Sequence, residues 1–316
     1  MDPEFEQPIK EIEDRIAELT GLNDKDGVSF EGEIAELQKK LKTMTKRLYG
    51  NLAPWQTVQV ARHEDRPVLQ DYVKGVFNEF IELHGDRCHG DDRALIGGFA
   101  TLNTHRVMLL GMEKGKSVDE KVRSNFGMAN PEGYRKALRL MRLAEKYNLP
   151  VVCLVDTPAA YPGKEAEARG QAEAIARNLT VMAALETPIV VLITGEGGSG
   201  GALGIAVGDV VLMLSNAIYS VIPPEGCAAI LWRDAAKAPE AAEALKLTAD
   251  SLLRLGIIDE IVAEPPGGAH RDCEGTMTVV KEALARHLTR LKRVSTRKLI
   301  EKRYDKYCRH GRGRKR

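Results

Sequence analysis

Aromatic residues are scarce in this chain: they make up 5% of its 316 residues, against 43% hydrophobic residues in all. Any core must therefore be filled by Val, Ile, Leu and Ala, which suits an α/β enzyme and excludes a disordered chain. Acid and base nearly cancel, leaving a formal net charge of +1, so no global field draws the protein to nucleic acid. No apolar run approaches the roughly 18 residues that a membrane span needs. No leader is read at the start, because Met1-Asp2-Pro3-Glu4 is acidic and runs into a charged helix, and the expected location is cytoplasmic. The five cysteines, Cys88, Cys153, Cys227, Cys273 and Cys308, form no C-x-x-C pair, which argues against a zinc knuckle and against disulfides. His84-Gly85-Asp86-Arg87-Cys88-His89 is dense in metal-type ligands, yet it lacks four well-spaced ones and reads as a polar turn. No metal is expected in this chain.

What the chain does have is glycine in a telling place. The apolar run Pro188-Ile189-Val190-Val191-Leu192-Ile193-Thr194 ends in Gly195-Glu196-Gly197-Gly198-Ser199-Gly200-Gly201-Ala202-Leu203-Gly204. This reads as a buried strand, a loop almost without side chains and an Ala- and Gly-rich helix. Bare N–H groups at a helix start favour negative charge. Four readings fit. Gly195-x-Gly197-x-x-Gly200 matches a dinucleotide fingerprint, but the next strand, Val210 to Leu214, ends in Ser215-Asn216 where that motif wants an acid. Gly197-Gly198-Ser199-Gly200-Gly201 matches the G-x-S-x-G nucleophile elbow, with Asp259 and His270 following in hydrolase order, although Ser199 has no bulky neighbours to fix a strained elbow. The third reading is an oxyanion hole of backbone N–H groups with no side-chain nucleophile. The fourth is a loop that only permits tight packing.

A second rigid loop shifts the balance toward chemistry. Leu149-Pro150-Val151-Val152-Cys153-Leu154-Val155-Asp156 reads as a buried strand entering Thr157-Pro158-Ala159-Ala160-Tyr161-Pro162-Gly163, whose two prolines and glycine stiffen the turn. Two neighbouring parallel strands then end in rigid loops at the carboxyl edge of one sheet, where ligands bind in α/β folds.

Three regions follow along the chain. In residues 1–51, Ile9, Ile12, Ile16 and Leu19, then Ile34, Leu37, Leu41, Met44 and Leu48, predict two helices joined at Gly21 to Gly27 in an antiparallel hairpin. Residues 52–271 form the core: a helix from Leu69 to Glu82, a strand pair at Ala94–Ala100 and Val107–Gly111, a helix after Pro131 with Leu138, Met141 and Ala144 inward, and one from Glu165 to Leu185. That order demands parallel crossovers and a sheet covered by helices. Residues 272–316 read as a helix leading into a disordered basic tail from Arg309.

Asp156-Thr157-Pro158-x-Ala160-Tyr161-Pro162-Gly163, the glycine run, Asn125-Phe126-Gly127-Met128 with Pro131-Glu132-Gly133-Tyr134-Arg135-Lys136-Ala137, and Pro224-Glu225-Gly226 with Leu231-Trp232 resemble the α subunit of the carboxyltransferase of bacterial acetyl-CoA carboxylase. The likeness runs from about Phe5 to about His270, with one departure: Ala159 stands where the family usually has glycine. The resemblance implies a crotonase-like (ClpP/crotonase) α/β spiral of strand–strand–helix units. It implies carboxyl transfer from carboxybiotin, on a separate biotin carboxyl carrier protein charged by a biotin carboxylase, to acetyl-CoA, giving malonyl-CoA for fatty acid synthesis. It also implies a zinc-bearing β subunit as partner in an α2β2 assembly. In that setting the N–H groups of Gly200, Gly201 and Ala202 hold the biotin oxygen, helped by Gly197 and Gly198. Ala159 and Ala160 line the same pocket, and Arg123 and Arg135 are the basic residues that match family motifs near the anionic substrate.

Overall fold

The computed structural model describes residues 4–26 and 30–310. At the amino end, α1 (Gln7–Asp26) and α2 (Glu31–Tyr49) lie against each other, tied by Arg15 to Glu33 at 3.5 Å. The helix continues through Gly21 to Asp26, so the expected turn is shorter, and residues 27–29 lie outside the described ones. Ile9, Ile12 and Leu19 are buried, whereas no residue of α2 is. The expected boundary at 51/52 falls in the link before α3 (Pro54–Ala61).

Next, α4 (Leu69–Val76) ends earlier than its pattern suggests, because residues 79–82 are drawn out as the edge strand β1 (Glu79–Glu82). It pairs antiparallel with β2 (Leu95–Leu102), which pairs antiparallel with β3 (His105–Met112). After α5 (Val118–Arg123) and α6 (Pro131–Lys146), the strand β4 (Val151–Thr157) lies parallel to β3. The helix expected from Glu165 to Leu185 is two, α7 (Lys164–Ala168) and α8 (Gln171–Ala184), because Gly170 adopts a φ of 84° that no α-helix continues through.

The strand β5 (Ile189–Gly198) is longer than its apolar run and absorbs most of the expected loop. It pairs with β4, then with β6 (Val210–Leu214) along Val190 to Ile193 and with β7 (Ile218–Ser220) along Glu196 to Gly198. Between them stands α9 (Ser199–Leu203). The chain continues through α10 (Pro224–Trp232), α11 (Ala238–Leu245) and α12 (Ala249–Leu255) to β8 (Glu260–Val262), parallel to β6. Two helices close it, α13 (Cys273–Leu291), capped by Asp272, and α14 (Thr296–Arg309). The basic end is therefore helical through Arg309, and residues 311–316 lie outside the described ones.

Every residue of β4, β5 and β6 is buried, as expected for a parallel sheet covered on both faces. Two glycines show the layering. Gly97 makes room for Leu140 of α6, and Gly111 makes room for Leu69 of α4. Since Gly97 pairs with Leu110 and Gly111 with Ile96, these helices occupy opposite faces. In α14 the fully buried Arg303 binds Asp209 and the carbonyls of Met182, Leu185 and Thr187, pinning the last helix under the sheet.

Candidate active site

Strands β4 and β5 run in parallel register from Val151 and Ile189 to Val155 and Ile193, slip, and resume at Thr157 and Gly197. Beyond that point their two turns touch through backbone. A Cβ on Gly198 would collide with the Pro158 carbonyl, and one on Gly201 with the peptide joining Ala159 to Ala160. Neither position tolerates a side chain. Thr157 locks its own turn, its Oγ1 donating to the Ala159 carbonyl at 2.7 Å. Ala159 keeps a negative φ, so the exchange of glycine for alanine costs the loop nothing in backbone strain.

Strand β5 then turns sharply at Ser199, whose φ of 52° is unusual for a residue with a side chain. A strained turn of this kind was not expected on the ground that Ser199 lacks bulky neighbours; the packing of Gly198 and Gly201 on the opposite turn imposes it. Ser199, Gly200 and Gly201 open α9 and have no carbonyl one turn back for their N–H groups. Ala202 is fully buried behind them. Gly200 is half-buried, and a Cβ there would meet only Ile175 Cδ1, in ordinary contact at 3.9 Å. Tyr134 Oη donates to the Gly201 carbonyl at 3.1 Å, and Asn178 Nδ2 donates to the Gly204 carbonyl at 2.9 Å.

A chain of charges lies beside the two strand ends. Lys114 Nζ is 2.6 Å from Asp156 and 3.8 Å from Glu196, and Arg62 binds Glu196 and Glu225, each at 2.6 Å. Asp156 also accepts the Glu196 N–H at 2.8 Å. Burial pushes the nearby Glu113 carboxyl upward even though it accepts the Gly115 and Gln70 N–H groups. Further in, Arg66 Nε holds the Thr194 carbonyl at 2.8 Å. The sequence places Lys114 in a segment flanking the core strands, Asp156 at the end of an apolar run and Glu196 inside the glycine run, but it does not show that they pair.

Gly197, Gly198, Gly200, Gly201 and Ala202 are thus brought together with Ala159 and Ala160. The arginines are not. Arg135 is held by Asp86 at 2.8 Å and by the Arg169 carbonyl at 3.0 Å, so it braces the polar turn in which Asp86 also accepts three backbone N–H groups. Arg123 is exposed at the end of α5. The serine triad fails in space. Asp259 precedes β8, at the amino edge of the parallel sheet, where it accepts the Val211 N–H at 2.7 Å. His270 stacks on His63 at 4.2 Å and bonds Tyr49 at 3.2 Å. Among the described residues, no group of three or more His, Cys, Asp or Glu is arranged to hold a metal ion, and no helix is long and apolar enough to cross a membrane.

A family model described as acetyl co-enzyme A carboxylase carboxyltransferase-like matches residues 3–311. The chain belongs to this carboxyltransferase family. It is 58% identical over 304 residues to the acetyl-coenzyme A carboxylase carboxyl transferase subunit alpha of Geobacter metallireducens, covering 96% of this chain and 95% of the relative. It is 54% identical over 308 residues to the same subunit of Burkholderia vietnamiensis, at 98% and 95% coverage. Among solved structures, transcarboxylase 12S with methylmalonyl-coenzyme A bound superposes with a TM-score of 0.55 at 21% identity, over 70% of this chain and 41% of that one. A Pseudomonas malonate decarboxylase hetero-tetramer in complex with coenzyme A gives 0.54 at 17% identity, over 68% and 86%. At such identities the likeness shows the fold, the crotonase-like α/β architecture of these carboxyltransferases.

Proposed function

We infer that this chain is the α subunit of a biotin-dependent carboxyltransferase, which moves the carboxyl group of carboxybiotin to acetyl-CoA to give malonyl-CoA. The observation that carries the reading is the backbone contact of the two turns, beside which a Cβ on Gly200 would meet only Ile175, in a chain 58% identical to a named α subunit; we read that space as a notch served by the first N–H groups of α9.

Carboxybiotin is a substrate delivered on another protein. In the transfer its N–C bond breaks, a C–C bond forms at the acetyl methyl carbon, and the proton leaving that carbon ends on the freed biotin nitrogen. Negative charge develops on the urea oxygen and on the thioester oxygen. We assign the N–H groups of Gly200 and Gly201, with Ala202 behind them, to the urea oxygen, where preorganised donors stabilise charge that forms only during reaction. Gly197 and Gly198 keep the end of β5 bare so that the turns can meet, and Ala159 and Ala160 form the facing wall. No side chain of this subunit is needed as base. Arg123 is the motif arginine free to meet an anionic substrate, and Arg135 acts through the turn it braces. The donors for the thioester, and the zinc, are assigned to a β subunit, with α2β2 as the working assembly and the cytoplasm as its location.

The strained φ of Ser199 favours one other reading, a nucleophile elbow, which the positions of Asp259 and His270 leave without its base. The test is carboxyl transfer from malonyl-CoA to free biotin, measured with this chain alone and with a β subunit added. Activity in the mixture only supports the proposal. Ser199-dependent ester hydrolysis by this chain alone, with no transfer in either sample, overturns it.

A further inference from the structure

The first turn of α9 has an unusual difficulty. A helix of five residues that begins Ser-Gly-Gly has few side chains to set its rotation. The carbonyls of Gly200, Ala202 and Leu203 accept the N–H groups of Gly204, Ile205 and Ala206, whereas that of Gly201 is answered from outside. Tyr134, in α6, donates its hydroxyl to the Gly201 carbonyl at 3.1 Å. Its ring fills the space beside Gly204, where a Cβ would lie 2.5 Å from Tyr134 Cε1. Asn178, in α8, closes the arrangement by donating Nδ2 to the Tyr134 carbonyl at 3.0 Å and to the Gly204 carbonyl at 2.9 Å. Tyr134 and Asn178 are both fully buried.

We propose that Tyr134 is a positioning residue for carboxyl transfer: by holding Gly201 by its carbonyl, it keeps the N–H groups of Gly200 and Gly201 aimed at the reacting oxygen. The proposal rests on the assignment of those N–H groups made above. Its logic is geometric. The Gly201 carbonyl shares one rigid plane with the Ala202 N–H, so a bond there fixes the rotation of the short helix that carries the N–H groups of Gly200 and Gly201. Glycine has no Cβ through which neighbours could do the same. The donor is dependable, because burial pushes the Tyr134 phenol far above its ordinary value and keeps it protonated. The ring packs independently of the hydroxyl, so the two contributions can be separated.

The experiment uses the complex of this chain with a β subunit. Tyr134→Phe keeps the ring and deletes the bond; kcat for transfer from malonyl-CoA to biotin is expected to fall about five- to tenfold, with KM within about twofold. Ring-fluorinated tyrosines placed at position 134 alone retain the shape while strengthening the donor. With them kcat is expected to change steadily with phenol acidity at constant KM and Tm, which a residue that only fills space does not produce. Amide hydrogen exchange at residues 200–202, measured on this chain alone, is expected to rise about tenfold in Tyr134→Phe. Unchanged exchange at those amides overturns the proposal, as does a flat fluorotyrosine series in an active complex. A wild-type complex with no transfer activity counts against the proposed function instead, and the exchange measurement still decides the role of Tyr134.

Discussion

Arg66 and Glu264 face each other in near-complete burial, joined by two hydrogen bonds of 2.7 and 3.1 Å, and Arg66 reaches with its third nitrogen to the Thr194 carbonyl of β5. Glu264 accepts three further bonds, two from Asn216 and one from the Ala269 N–H. Burial works against the Glu264 carboxylate, and Arg66 outweighs it, leaving its pKa below the ordinary range. Removing one partner of such a pair strands the other charge. Arg66→Ala is expected to cost about 3–5 kcal/mol, read as a shift of the denaturation midpoint, whereas a double Arg66→Met, Glu264→Gln variant should recover part of that loss.

The glycines of α9 separate packing from chemistry. Gly201→Ala drives a methyl group into the Ala159–Ala160 peptide and is expected to lower stability by about 1–3 kcal/mol along with activity. Gly200→Ala meets nothing closer than 3.9 Å, and its φ is not positive. Its Tm should stay at the wild-type value while transfer activity falls, because the methyl group sits in the notch assigned to the substrate. Wild-type activity in Gly200→Ala would remove the notch from the reaction.

Ser199 pays for its φ of 52° without a hydrogen-bonding role assigned to its hydroxyl. Ser199→Gly is expected to gain about 1 kcal/mol in stability and to keep transfer activity. Ser199→Ala should also keep it. A loss of more than about a hundredfold in Ser199→Ala alone, at unchanged Tm, would restore the nucleophile reading.

The helical hairpin is attached through ionised groups. Burial alone pushes the Glu6 carboxyl up, but hydrogen bonds from His270, Tyr49 and Arg271 bring it down to about 2 from 4.5. Glu6 is a group whose folded pKa is depressed, so its contribution is present above about 4.5 and is lost as pH falls toward 2. Acid titration from pH 5 to 2 is expected to loosen the hairpin before the sheet unfolds, visible as exposure of Tyr49 in its fluorescence. Glu6→Gln should make the hairpin equally loose throughout that range.

Much of this architecture is legible in the sequence, for reasons that also mark where legibility ends. The runs at Val151, Ile189 and Val210 announce buried parallel strands because their apolar residues are unbroken, and Asp272 announces α13 because it caps it. The glycines 195, 197 and 198 read as loop since glycine lowers strand propensity, yet pairing with Thr157 and with β7 carries the strand through them. That pairing is tertiary and invisible locally. The meeting of Ala159 and Ala160 with Gly201 follows from two rigid turns on one sheet edge. The ion pairs do not follow, because Arg62 and Glu196, or Arg66 and Glu264, lie 134 and 198 residues apart and nothing local links them.

The contact of Gly198 and Gly201 with the opposite turn has a consequence for how such a protein can change over time. Where the two turns meet, at Gly198 and Gly201, there is no room for a side chain, so selection can adjust the place only through neighbours such as Gly200 and Ala159 and through the buried residues behind them. If the turns hold the reacting group as proposed, a preference for one acyl group over another is expected to lie in the residues that ring them, while the contact of Gly198 and Gly201 stays as it is.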